Sequence, residues 1–136
     1  MSNLQPSARE RLGALFIENG LAPEDVFVSN RFTIIARTGI EKIAAKRGIV
    51  VEFSEISLDP EFVVLKAFAR MPITGDDAVV RWIRVETYGS ASKANNRTAY
   101  PVEMAEKRAL SRAVLKLAGL YAHDGVIGED ERPIDE

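Results

Sequence analysis

Three cations recur every four residues near the C-terminal end of the chain: Arg108, Arg112 and Lys116. At 3.6 residues per turn they stack along one side of a helix, about 6 Å apart along its axis. Such a ridge could follow a phosphate chain and grip it without regard to base sequence. Lys107 stands next to it, and Lys93 and Arg97 fall in the small, polar stretch 89–99 (GSASKANNRTA) just upstream. Arg84 lies earlier, on a segment that mixes rings with charges. The candidate polyanion-binding set is therefore Arg84, Lys93, Arg97, Lys107, Arg108, Arg112 and Lys116. Trp82, Tyr88 and Tyr100 are the rings that could stack on bases.

Other chemistries lack their parts. The chain has one histidine, His123, and no cysteine, so a His-based triad, a cysteine nucleophile and a thiolate metal site are not expected. No G-x-x-x-x-G-K-[ST] phosphate loop is present, and the nearest basic glycine segment, Gly89 to Lys93, has the wrong spacing. Asp76, Asp77, Glu86 and Lys93 do not make the Glu-x-Lys pair of a metal nuclease. Asp124, Glu129 and Asp130 lack the spacing of a calcium loop. The residues predict a binding protein with no catalytic site, metal or cofactor.

Composition agrees with a soluble globular domain: 136 residues, 46% hydrophobic and 28% charged. No apolar run is long enough to cross a membrane, and the N-terminal stretch lacks a signal-peptide hydrophobic region, so a cytoplasmic location is expected. The net charge of −2 is unevenly spread. Residues 31–116 carry 15 basic and 10 acidic groups, whereas residues 117–136 carry one basic and six acidic. A basic body with an acidic tail suits a polyanion binder.

Periodicity supplies the elements that must position these groups. Residues 100–121 (YPVEMAEKRALSRAVLKLAGLY) read as a long helix with Val102, Ala105, Ala109, Ala113 and Leu117 on one side. Upstream, residues 7–19 read as a helix capped by Ser7 and stopped by Gly20. A brief extended piece is expected at 26–28 and a short strand at 31–36. Thr38 and Glu41 have the spacing of a capping box, opening a helix that ends at Gly48. Three strands follow, at 49–57, 62–70 and 78–88, joined by turns at 58–61 and 71–77. Short connections favour an antiparallel meander. Alternation puts Val63, Leu65, Ala67 and Ala69 on one face, matched to the alanines of the long helix. It puts Phe62, Val64, Lys66, Phe68 and Arg70 on the other, and in the next strand Val80, Trp82, Arg84, Glu86 and Tyr88 oppose Val79, Arg81, Ile83 and Val85. Each strand thus has a face that mixes aromatics with cations, fit for a second core, a partner protomer or nucleic acid. The predicted class is α+β: a three-stranded antiparallel β-meander packed on a long C-terminal helix, a β-β-β-α core, with N-terminal helices. The predicted division is a domain at 1–121 and a flexible acidic tail at 122–136.

The segment VETYGSASKANNRTAYPVEMAEKRALSRAVLKLAGLY resembles the core of phage single-strand annealing proteins of the Erf, Sak and RecT kind, related in fold to the eukaryotic annealing mediator of homologous recombination. Those proteins end their β-β-β-α unit in a strand, a glycine, a polar basic loop and a helix of the form A-x-x-R-A-x-x-R-A. Here Ala105, Arg108, Ala109, Arg112 and Ala113 hold those positions, and the upstream run VSNRFTIIARTGIEKIAAKRGIVV resembles the entry to the fold in short phage members. The resemblance spans about residues 26–121. It implies ATP-independent binding of single-stranded DNA and annealing of complementary strands in phage-type recombination, with Arg108, Arg112 and Lys116 lining the groove and Lys93 and Arg97 beside it. It also implies a homo-oligomeric ring or helical filament, a phage exonuclease or single-strand-binding protein as partner, and a bacterial host cell as the setting. The alternatives are a double-stranded RNA-binding module, which shares the α-β-β-β-α order, and a structural or regulatory phage protein of the same fold. The first of these places lysines at the start of its last helix, where this chain has Glu103 and Glu106.

Overall fold

The computed structural model describes residues 7–29, 32–92, 95, 100–122 and 125–131. Within them the chain is α+β, with three helices and two three-stranded sheets. Helix α1 spans Ala8–Glu18, and the Ser7 side chain accepts a hydrogen bond from the Glu10 N–H at its start. After a 3-10 turn at Pro23–Asp25, strands β1 (Val26–Ser29) and β2 (Phe32–Ile35) form an antiparallel pair, and helix α2 runs over Arg37–Arg47. Gly48 ends α2 with a φ of 68°, a left-handed conformation in which a side chain would be strained.

Strands β3 (Val50–Asp59), β4 (Phe62–Thr74) and β5 (Val80–Ser92) are paired antiparallel in chain order. Both hairpin strands outrun the expected limits. Residues 71–74, read from sequence as a turn, pair with 80–83, because Ile73, Val80 and Ile83 extend the β pattern past Pro72. Gly89 to Ser92, read as the start of a loop, pair with Phe62 to Leu65. The β4–β5 hairpin therefore projects beyond Val50, the first residue of β3.

Helix α3 (Pro101–Leu117) crosses one face of this sheet. Ala105 packs with Val63, Leu65 and Ala91, while Ala109, Ala113 and Leu117 pack with Ala67, Ala69 and Met71. The seam is tight enough to exclude a methyl group: a Cβ added at Gly89 would sit 2.0 Å from the Ala105 carbonyl oxygen and 2.4 Å from the Ala109 nitrogen. The Thr87 hydroxyl donates across it to the Ala109 carbonyl at 2.7 Å.

The other side of α3 is buried as well. Val114 and Leu115 join Ile35, Ile40, Ile43, Leu120 and Val126 in a second core. That core rests on a second sheet that the sequence pattern does not predict. Strand β6 (Val126–Gly128) returns to pair parallel with β2, giving the order β1-β2-β6. Gly128 lies so near α3 that an added Cβ would meet Ser111 at 2.8 Å.

Two local expectations are corrected. Residues 126–131, expected in a flexible tail, form β6 and a 3-10 turn at Glu129–Glu131, since Val126 is apolar and finds an open edge on β2. The Thr38–Glu41 capping box does not form. Helix α2 begins earlier, with Ala36 at its cap, and the Glu129 carboxylate supplies the missing acceptor, taking the Arg37 N–H at 2.8 Å. Thr38 turns inward and donates to the buried Asp25 at 2.6 Å. Among the described residues, no helix is long and apolar enough to cross a membrane.

Candidate nucleic-acid interface

The sheet has one face under α3 and one face open. Pairing assigns side chains to the open face row by row: Val50, Arg70 and Arg84; Glu52, Phe68 and Glu86; Ser54, Lys66 and Tyr88; with Pro72 and Trp82 on the projecting hairpin. Cross-strand neighbours on one face stand about 5 Å apart. Phe62, Phe68, Trp82 and Tyr88 all leave two fifths or more of their surface in solvent. A cluster of uncovered rings on one sheet face is what an isolated domain normally buries.

The polar groups among these rings are not all matched. Lys66 is held by Glu86 at 3.2 Å. Arg70 and Arg84 sit directly opposite one another, a like-charge pairing that costs stability in a sheet. Among the described residues neither has a carboxylate within ion-pair distance. The Arg70 guanidinium lies over the Trp82 ring, 4.8 Å from its centroid. A shallow cavity of about 280 Å³ opens between Val50, Glu52, Phe68, Arg70 and Arg84. Two guanidinium groups without an ion-paired carboxylate among the described residues, beside exposed rings, can hold a phosphate while a base stacks alongside.

The helix cations behave differently. Arg108 is only 9% exposed. Its Nη1 donates to the Ser90 carbonyl at 2.6 Å and to Asn95 Oδ1 at 3.0 Å, its Nη2 to the Asn95 carbonyl, and its Nε to the Asp130 carbonyl at 2.9 Å. Burial pushes its pKa down, and nearby Arg112 pushes the same way. Arg112 donates to the Tyr88 carbonyl and to Glu131 at 2.8 Å, and the Tyr121 hydroxyl donates to the same Glu131 carboxylate at 2.6 Å. The two arginines thus bind the outer backbone of β5 and tie the 129–131 turn to the helix. The expected groove ridge is, at these two positions, an internal clamp. The physical reason is that β5 continues to Ser92, so its free carbonyls run alongside α3 at the height of Arg108 and Arg112.

Lys116 is exposed, with no ion pair among the described residues, and Lys107 is half-buried near Asp130. Burial holds the Asp130 carboxyl above its usual range, opposed by Arg37 and Lys107. Tyr100 is exposed at the start of α3. Lys93 and Arg97 lie outside the described residues. Of the predicted set, then, Arg84 and Trp82 are neighbours on the open face, Tyr88 shares that face about 20 Å from Trp82 along β5, and Arg108 and Arg112 come together at the β5 edge. Arg70 and Phe68, which are not among the predicted site residues, complete the open-face cluster. Their signal is the alternation of β4, in which every second residue from Phe62 to Arg70 is a ring, a valine or a cation. No protein-family model, curated protein or solved structure matches this chain, so the chemistry of the open face rests on its own residues.

Proposed function

We propose that the chain binds single-stranded DNA on the open face of the β3–β4–β5 sheet and anneals complementary strands without nucleotide hydrolysis, as a self-associating recombination protein of phage type. The observation that carries this reading is the juxtaposition of Arg70 and Arg84, free of carboxylate partners among the described residues, with the exposed rings of Phe68 and Trp82. Guanidinium groups hold the backbone and rings support bases, and neither interaction selects a sequence. The resemblance of residues 26–121 to annealing proteins supports the same reading, with the contact surface moved from the helix ridge to the sheet. One open face offers few cations, so a useful grip needs several copies in a row. A single-strand-binding protein or an exonuclease of the same phage is the partner class that goes with this role, in the cytoplasm of a bacterial host.

The test is annealing of complementary oligonucleotides without nucleotide, alongside a salt titration of single-strand binding. Arg70→Ala with Arg84→Ala should weaken binding and reduce the slope of log K against log salt by about 1.4, from about 0.7 per phosphate contact. Unchanged affinity and slope in the double variant would remove the open face from consideration.

A further inference from the structure

A three-stranded sheet has two edges, and this chain treats them unequally. On β5 the carbonyls of Tyr88 and Ser90 are taken by Arg112 and Arg108, and the Ser92 N–H by Asn95 Oδ1 at 2.8 Å. Residues 88, 90 and 92 therefore point their backbone groups outward, and so, by alternation, do Trp82, Arg84 and Glu86 on the same edge. Those three have no backbone partner there among the described residues. The clamp closes half of the β5 edge and leaves the half at 80–86 open. The opposite edge, the ten residues of β3, is open along its whole length among the described residues.

Edges that stay single are normally guarded by charged side chains, proline, bulges or shortness. β3 is ten residues long without proline; what guards it against a second β3 is its acids Glu52, Glu55 and Asp59 and the register shift between Glu55 and Ser57. Phe53, Ile56 and Leu58 on β3 are exposed, and so are Val80, Trp82 and Ile83 on the hairpin. Charge separates the two edges. β3 carries Glu52, Glu55 and Asp59 and no cation, while on residues 80–86 of β5 Arg81 is paired with Asp77 at 2.8 Å and Glu86 with Lys66 at 3.2 Å, which leaves Arg84 as the charge without a carboxylate partner among the described residues. Pairing β3 with another β3 would bring acids together with no cation to offset them, and pairing two β5 hairpins would leave Arg84 of each copy without a free acid. Pairing β3 with the hairpin segment of β5 brings opposite charges and apolar side chains together.

We infer that the β3 edge of one copy pairs with residues 80–86 of β5 in a second copy, joining protomers head to tail through a continuous sheet. β3 and β5 both run antiparallel to β4, so copies repeating in one orientation meet with these strands parallel. The contact is heterologous and leaves one free edge at each end, which permits a ring or an open filament and excludes a closed two-fold dimer. Open faces of successive copies then lie on the same side and form one strip. This deepens the self-association in the proposed function by naming the surfaces, and it requires no nucleic acid.

The chain contains no cysteine, so introduced cysteines report the contact directly. Ser54→Cys on β3 and Arg84→Cys on β5 are exposed changes, and circular dichroism verifies that each variant is folded. In the absence of DNA, a short bismaleimide should convert the double variant into a ladder of dimers, trimers and higher products. Each single variant should give no covalent dimer above background. In parallel, Glu52→Lys and Arg84→Glu, both on the open face, should each raise the concentration for half-association about tenfold by light scattering, and mixing the two should restore association. Covalent dimers from a single variant, no ladder from the double variant, or an original chain that stays monomeric at all concentrations would each overturn the inference. A chain that associates this way and still fails to bind oligonucleotides would refute the single-strand reading alone.

Discussion

Gly89→Ala tests how α3 is seated. The added methyl would start 2.0 Å from the Ala105 carbonyl oxygen and 2.4 Å from the Ala109 nitrogen. Both are backbone atoms of a helix, so no rotamer change relieves the overlap. Ordinary contact begins near 3.4 Å, which requires α3 to lift by more than about 1 Å over the centre of the sheet. That movement opens the seam of Ala67, Ala69, Ala105, Ala109 and Ala113, all of them 0% exposed. It also stretches the Thr87–Ala109 hydrogen bond of 2.7 Å, worth about 1 kcal/mol. Overpacking of a rigid core costs about 1–3 kcal/mol, and with the hydrogen bond the loss comes to about 3 kcal/mol. In urea, the transition midpoint should fall by about 1.5 M at an unchanged slope of about 2 kcal/mol per M. A shift of less than about 0.3 M, with the native spectrum retained, would refute the close approach of helix and sheet.

The remaining predictions concern the clamp, the buried aspartate and the C-terminal segment. Arg108→Met should cost about 3 kcal/mol of stability, because the carbonyls of Ser90, Asn95 and Asp130 lose their donor; an unaltered denaturation midpoint with weakened oligonucleotide binding would return Arg108 to a DNA-facing role. Asp25 is 1% exposed, and its carboxylate accepts from Lys42 and Thr38 at 2.6 Å each and from the Ala22 N–H at 2.8 Å. The Lys42 and Thr38 hydrogen bonds hold its pKa down to about 2. A depressed carboxylate pKa stabilises the fold above the unfolded value and loses that contribution as pH falls, so stability should decline between about pH 4 and pH 2 by about 2 kcal/mol. Asp25→Asn should flatten that decline; an identical acid limb in the variant would show that other carboxylates set it. Deletion of residues 123–136 removes the β2 partner strand, the acceptor at the start of α2 and the Glu131 contact with Arg112. It should lower the thermal midpoint by several degrees, and a truncated chain as stable as the original would show that β6 contributes nothing.

Legibility followed the range of the interactions. The α1 cap at Ser7, the stop of α2 at Gly48 and the alternation of β4 and β5 are set by neighbours a few residues away, and they read directly from the chain. The match between the alanines of α3 and the small residues of β4 was also legible, because both patterns repeat with a known period. The second sheet was not. Val126 to Gly128 is too short to register as a strand, and it becomes one only because β2, some ninety residues earlier, presents a free edge. Thr38 and Glu41 had the spacing of a cap, yet buried Asp25 competes for the Thr38 hydroxyl and Glu129 takes over the helix start.

The same division runs through the functional residues. By itself the sequence determined that cations and rings are available: Arg108, Arg112 and Lys116 at helical spacing, and Phe68, Arg70, Trp82 and Arg84 on alternating strands. Only the tertiary structure decided which of them meet solvent. A guanidinium four residues from the next looks the same in sequence whether it faces a phosphate or a carbonyl. The outer edge of β5 runs beside α3, and that proximity commits Arg108 and Arg112 to backbone oxygens. With α3 covering one face of the sheet, Arg70 and Arg84 are left opposite one another on the other.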